Sequence, residues 1–185
     1  MKKILSLIII VVAMFAADNA MAQKGKLVGQ WQMDIKEFAQ MSEDLAMLCA
    51  SGVDYDGSIV LNLEKKGKGA FCADASFSSE VEEGITIEMA MALLFDLKWN
   101  FKKDTLMLEY VDANVDIQSI KLTPSDPEFE QMASVMMAVL EQQLTEEIMS
   151  DGINDDNDLK VEFVDNDTIK VVGSNNYHAT LKRVK

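Results

Sequence analysis

From residue 27 onward the chain alternates apolar and polar positions in short runs. Leu27, Gly29, Trp31 and Met33 alternate with Val28, Gln30 and Gln32, which predicts a first strand with Trp31 on its buried side. The period then lengthens. Ile35, Phe38, Met41, Leu45 and Leu48 recur at helical spacing behind an Asp34/Glu37 cap pair and stop at Ser51-Gly52, so a helix follows the strand. Asp54-Tyr55-Asp56-Gly57 reads as a turn into the next strand. From residue 58 the period returns to two. Ile59, Leu61 and Leu63 share one face, Lys65-Lys66-Gly67-Lys68 is a turn, and Phe71, Ala73, Ala75 and Phe77 share the face of the returning strand. Ile85 to Met91 and Phe95 to Phe101 continue the alternation as two strands, or one long strand bent near Ala92 to Leu94. Leu106, Leu108 and Tyr110 follow a Lys102-Lys103-Asp104 turn, and Val115 to Leu122 forms another strand whose alternation slips, as at a bulge.

Residues 126–150 predict a second helix. Ser125 and Glu128 have capping-box spacing, Pro127 suits the first turn, and Phe129, Met132, Met136, Leu140, Leu144 and Ile148 form an apolar stripe. An acidic loop, 151–158, leads into strands at about 159–164, 168–173 and 176–184. The result is about nine short strands and two helices. A mainly β fold follows: an antiparallel up-and-down barrel, whose closure hides the strand edges. The alternative is an α+β fold with an open antiparallel sheet covered by helices.

The first residues carry a different message. Lys2 and Lys3 precede an apolar run from Ile4 to Ala17, and Ala20-Met21-Ala22 ends the segment, the layout of a secretory signal peptide cut after residue 22. The run is shorter than the ~20 residues of a membrane span. The expected product is a single domain, residues 23–185, exported to the periplasm or the extracellular space, with no membrane span after cleavage. The removed segment holds two lysines and one aspartate, so residues 23–185 have 15 basic and 30 acidic residues and a formal charge of −15. That net charge argues against nucleic acid as a partner and predicts repulsion from anionic membranes. Cys49 and Cys72 are the two cysteines. In an oxidising compartment they could form a disulfide closing a loop of about 24 residues, worth roughly 3 kcal/mol; two buried thiols are the other reading.

Candidate chemistry is sparse. His178 is the single histidine and alternates with Tyr177, Ala179 and Leu181, which puts it on the solvent side and leaves no histidine for a catalytic triad. No phosphate loop, HExxH helix or paired CxxC occurs, so neither catalysis nor a cofactor is expected. Asn154, Asp156 and Asp158 alternate as calcium ligands do, but the loop lacks an EF-hand's glycine and terminal glutamate, so it reads as solvated and no metal is expected.

Gly29-Gln30-Trp31 in the first strand resembles the G-x-W signature of lipocalins and the wider calycin group, whose usual partner is a basic residue near the end of the last strand; here that would be Arg183. The chain is similar in element order to small secreted bacterial lipocalin-like domains of unknown function. The resemblance implies a structural pair, Arg183 flat over Trp31, closing one end of a barrel.

Ten of the thirteen methionines remain after residue 22, and thioethers line loosely shaped apolar cavities well. Small Ala73 and Ala75 between Phe71 and Phe77 would leave room inside. The expected ligand contacts are therefore Phe71, Ala73, Ala75, Phe77, Met89, Met91 and Trp99. The expected function is a non-enzymatic binding protein that carries or senses a small apolar ligand. An acidic cell-envelope module for protein–protein interaction or inhibition is the alternative.

Overall fold

The computed structural model describes residues 23–39, 53–151, 157–173 and 178–185. The signal segment, most of the first predicted helix with Cys49, residues 152–156 and Tyr177 lie outside the described residues.

Among the described residues eight strands pair antiparallel in sequence order: β1 Gly29–Asp34, β2 Asp54–Leu63, β3 Lys68–Glu82, β4 Ile85–Lys102, β5 Thr105–Thr123, β6 Asn157–Phe163, β7 Thr168–Val172 and β8 His178–Arg183. β8 returns to β1, with Trp31 opposite Arg183 and Gln32 opposite Lys182, so the sheet is one closed ring. The open-sheet alternative is thereby overturned: pairing β1 with β8 removes both free edges at that level.

Three expectations of element order change. The first strand begins at Gly29, because the described residues 23–27 are helical, α1, and deliver Leu27 into the core from beyond the strand end. Asp54 to Gly57 are part of β2 and not a turn. Gly57 has φ +154°, and a Cβ there would sit 2.0 Å from the Asp74 carbonyl oxygen, so its missing side chain lets β2 continue against β3. About nine strands become eight because Leu106 to Leu122 is one strand, and Ile85 to Phe101 takes the second of its two readings, a single long strand. Two bulges in β5 reset the register: Val111 and Gln118 are the extra residues between pairs Leu97/Tyr110 and Asp96/Asp112, and between Met91/Ile117 and Ala90/Ser119. Each bulge restores the inward face after a slip, which is why the alternation stumbles locally and survives globally.

The strands differ greatly in length, and this shapes the molecule. β1, β6, β7 and β8 have 5 to 7 residues, whereas β3, β4 and β5 have 15 to 19. The ring is therefore short, and the β3–β4–β5 sheet projects beyond one end of it. β5 pairs with β6 only through residues 105–108. Beyond that point its edge is taken by α3, Pro127–Asp151: Glu141 Oε1 accepts the Ile117 N–H at 2.8 Å. A carboxylate on a neighbouring helix thus satisfies an edge amide that no strand reaches.

Cap residues and the buried helix stripe also differ from expectation. Asp126, not Ser125, opens α3, its Oδ1 accepting from the N–H of Glu128 at 2.8 Å, while Ser125 Oγ donates to Glu130 Oε1. At α2, Ile35–Ala39, Asp34 accepts from Lys36 N–H, but Glu37 accepts from Thr180 N–H on β8 at 2.8 Å and does not complete a capping box. On α3, Met132 and Met136 face solvent; Ala133 is buried, and Met137, Leu140, Leu144 and Ile148 pack on the core. One helical position is a rotation of ~100°, so a helix with apolar residues on several sides takes the phase its sheet contact selects.

Candidate functional site

One end of the ring is sealed. Leu27, Trp31, Leu63, Leu106, Ile169 and Leu181 are almost wholly buried there, each worth about 1.5–3 kcal/mol of transfer free energy or more for the indole. Arg183 lies over Trp31 with its guanidinium carbon 4.2 Å from the ring centroid. Its nitrogens donate to the carbonyls of Val28 (2.9 Å), Lys26 and Asn166 (3.2 Å), and Trp31 Nε1 donates to Leu27 O at 2.7 Å. The cation therefore stacks on one residue while holding the carbonyls of the segment before β1 and of the β6–β7 turn. Gly29 makes room: a Cβ there would lie 2.4 Å from Arg183 Nη1. A second indole works beside it. Trp99 Nε1 donates to Glu64 O at 3.0 Å and Lys68 O at 2.8 Å, locking the β2–β3 turn (Lys65–Gly67) against β4.

The inner face loosens toward the other end. Phe71, Ala73, Ala75 and Phe77 on β3 stand opposite Phe95, Leu93, Met91 and Met89 on β4, all on one face. Six of the seven expected contact residues are brought together this way. Trp99 is the exception: it lies eight residues from Met91, about 26 Å along the strand, and serves the sealed end. Although they point inward, Phe77, Met89, Leu93, Phe95, Tyr110 and Ile120 are only half-buried. Among the described residues no polar side chain is fully buried. Tyr110, 5.2 Å from the Phe95 ring, supplies a hydroxyl, and burial raises its pKa, so the phenol stays neutral there.

The outer face of the same strands is polar. A concavity of about 340 Å³ is lined mainly by Asp54, Asp56, Ser76, Ser78, Glu88 and Ser119, and a neighbouring one of about 260 Å³ adds Ser58, Asp74 and Gln118. Phe77 and Met89 also reach the first, and Ala75 and Met91 the second. Among the described residues no group of three or more His, Cys, Asp or Glu is placed to hold a metal. Among the described residues Cys72 is a free thiol, and Cys49, the other member of the expected pair, lies outside them. Cys72 points outward between Val60 and Leu94, away from the core. Burial first, and the Asp74 carboxylate second, raise its pKa, which disfavours the reactive thiolate. His178 is exposed at the start of β8.

Sequence reasoning missed the outer stripe of α3. Met132, Val135, Met136 and Val139 are 55, 66, 38 and 49% exposed. Their i, i+3, i+4, i+7 spacing was legible, but exposure was not, because the same spacing describes a buried face. Among the described residues no helix is long and apolar enough to cross a membrane. No protein-family model matches the chain, and no curated protein matches it.

Proposed function

We propose that this is an exported, non-enzymatic binding protein with a lipocalin-like barrel, carrying or sensing a small apolar ligand at the loosely packed end of its interior. The observation that carries this reading is the burial gradient along one continuous inner face. The sealed end is packed as a core. At the far end, inward-facing aromatic and thioether side chains of β3, β4 and β5 remain half-buried. Such a surface has unused apolar contact area, and alanines at 73 and 75 keep the floor low. A long-chain fatty acid titrated into delipidated protein should bind near one to one. Ala75→Leu should weaken it by about tenfold or more, the scale of a methylene-sized change in an apolar pocket. No uptake of any apolar probe, or uptake indifferent to Ala75→Leu, would end this reading.

The exposed stripe of α3 favours a second reading, a module that docks to another protein. Four apolar residues along one helix face suit a groove, and the helix carries six carboxylates and no Lys or Arg, so the groove would have a basic rim. Val135→Glu should then abolish capture of that partner while fatty-acid binding persists. Capture unaffected by this change would count against it.

A further inference from the structure

Eight of the fourteen lysines that follow residue 22 gather in three segments. The β2–β3 turn carries Lys65, Lys66 and Lys68. Lys98 precedes the β4–β5 turn, which holds Lys102 and Lys103, and Lys24 and Lys26 lie just before β1. These three segments meet at the sealed end. Trp99 joins β4 to Glu64 and Lys68 through its two hydrogen bonds, and Lys24 Nζ donates to Asn100 Oδ1 at 3.0 Å while lying 5.1 Å from the Trp99 ring centroid. Residues 24–29, 64–68 and 98–104 together hold eight lysines against two acids, Glu64 and Asp104. That is a net charge of +6 in a chain whose remainder is strongly acidic. Seven of the eight lysines are exposed. One of them, Lys98, pairs with Glu109 at 2.8 Å. The adjoining β6–β7 turn adds Asp165 and Asp167, and Asp167 is itself met by Arg183 and, at 3.2 Å, by Lys185.

Two turn lysines stand where lysine is conformationally costly. Lys66 has φ 74° and Lys103 φ 52°, followed by Asp104 at φ 60°. Both are left-handed backbone positions that glycine or asparagine occupies with far less strain. Lysine stands at these tips in spite of the backbone, an outlier of the kind that points to function.

We propose that the sealed end is a docking surface for a lipid bilayer bearing anionic headgroups. The chemistry fits a planar array of phosphates better than a nucleic acid. Lysines are point charges, here placed on and beside turns, and both tryptophans of this end are buried, so neither is free to stack on bases. Val164 and Val184, 52 and 40% exposed at the same end, add small apolar contacts for the headgroup layer. The net charge of −15 does not oppose this. Glu109, beside the patch, is paired with Lys98, and the acids beyond the start of β4, Glu82 and Glu83, lie about 55 Å from Lys102 measured along the strand, several times the ~8 Å over which physiological salt screens a charge.

Sedimentation of the processed protein, beginning at Gln23, with lipid vesicles tests the proposal. It should bind vesicles of phosphatidylcholine containing about a third phosphatidylglycerol and ignore pure phosphatidylcholine, and binding should vanish at about 0.5 M salt. The triple variant Lys65→Gln/Lys66→Gly/Lys103→Asn should bind about a hundredfold more weakly, at roughly fivefold per lysine. Its unfolding midpoint should stay level or rise, because glycine and asparagine suit the two backbone positions. Lys36→Gln/Lys121→Gln, at the opposite end, should change binding less than twofold. The proposal is overturned by any of four results: no preference for anionic vesicles, undiminished binding of the triple variant, an equal loss in the Lys36/Lys121 pair, or inorganic polyphosphate bound as tightly as vesicles at matched phosphate.

Discussion

Replacing Trp31 by alanine should lower the unfolding free energy by about 3–5 kcal/mol, and replacing Arg183 by alanine should lower it by about 1–3 kcal/mol. Trp31 is 1% exposed at the sealed end, so its removal leaves a cavity bounded by strands that cannot collapse far. Arg183 contributes differently: three backbone carbonyls, on Val28, Lys26 and Asn166, lose their donor together, and the upper face of the indole loses its cover. The two losses should not add. Residues that share a contact couple by about 0.5–3 kcal/mol in a double-mutant cycle, whereas independent residues add within a few tenths. Urea denaturation of both single variants and the double variant measures the term. Strict additivity would reduce Trp31 to a core residue that happens to lie under a cation, and would weaken the lipocalin-like reading that rests on this pair.

Trp99→Ala should cost a similar 3–5 kcal/mol, and Trp99→Phe about 1–3 kcal/mol. The pair of substitutions separates burial from hydrogen bonding. Phenylalanine keeps most of the apolar contact of a residue that is 4% exposed, but cannot donate to Glu64 O and Lys68 O. Lys68 O still accepts from Glu64 N–H at 2.8 Å, so the unmet group is mainly the Glu64 carbonyl. Turn geometry at Lys65–Gly67 depends on this anchor, since a Cβ on Gly67 would come within 2.7 Å of the Trp99 carbonyl oxygen. Thermal and urea melts of both variants give the split. A Trp99→Phe protein as stable as the parent would show that the indole acts by volume alone.

The closed sheet alters how the net charge should be understood. Composition alone predicts a protein repelled by every anionic surface. Bringing the β2–β3 turn, the β4–β5 turn and the segment before β1 to one end concentrates eight lysines there, from stretches up to about 80 residues apart in the chain. Net charge is a property of the sequence, but the field a partner meets is set by which charges lie within a screening length of each other.

What the sequence determined by itself is which side each strand residue leaves. Period-two alternation is enforced by the pleat, so Trp31, Ile59, Leu61, Phe71, Ala73, Ala75, Leu181 and the inward position of Arg183 beside them were legible before any neighbour was known, as were the turns at 65–68, 102–104 and 165–167. The tertiary structure decided everything that depends on who the neighbour is. The slip at Gln118 was legible as a bulge, whereas the one at Val111 looks locally like a strand end, and only pairing with β4 makes it a bulge within one strand. Asp126 rather than Ser125 caps α3, and Ala133 with Met137 rather than Met132 with Met136 meets the core, because β5 fixes where the helix lies. Trp99 shares the parity of Met89 and Met91 yet serves the sealed end, since parity fixes a face and not a height along it. Local periodicity encodes the direction of a side chain. Burial, pairing and charge clustering arise from segments distant in sequence, and the physical contact between them carries no local signature.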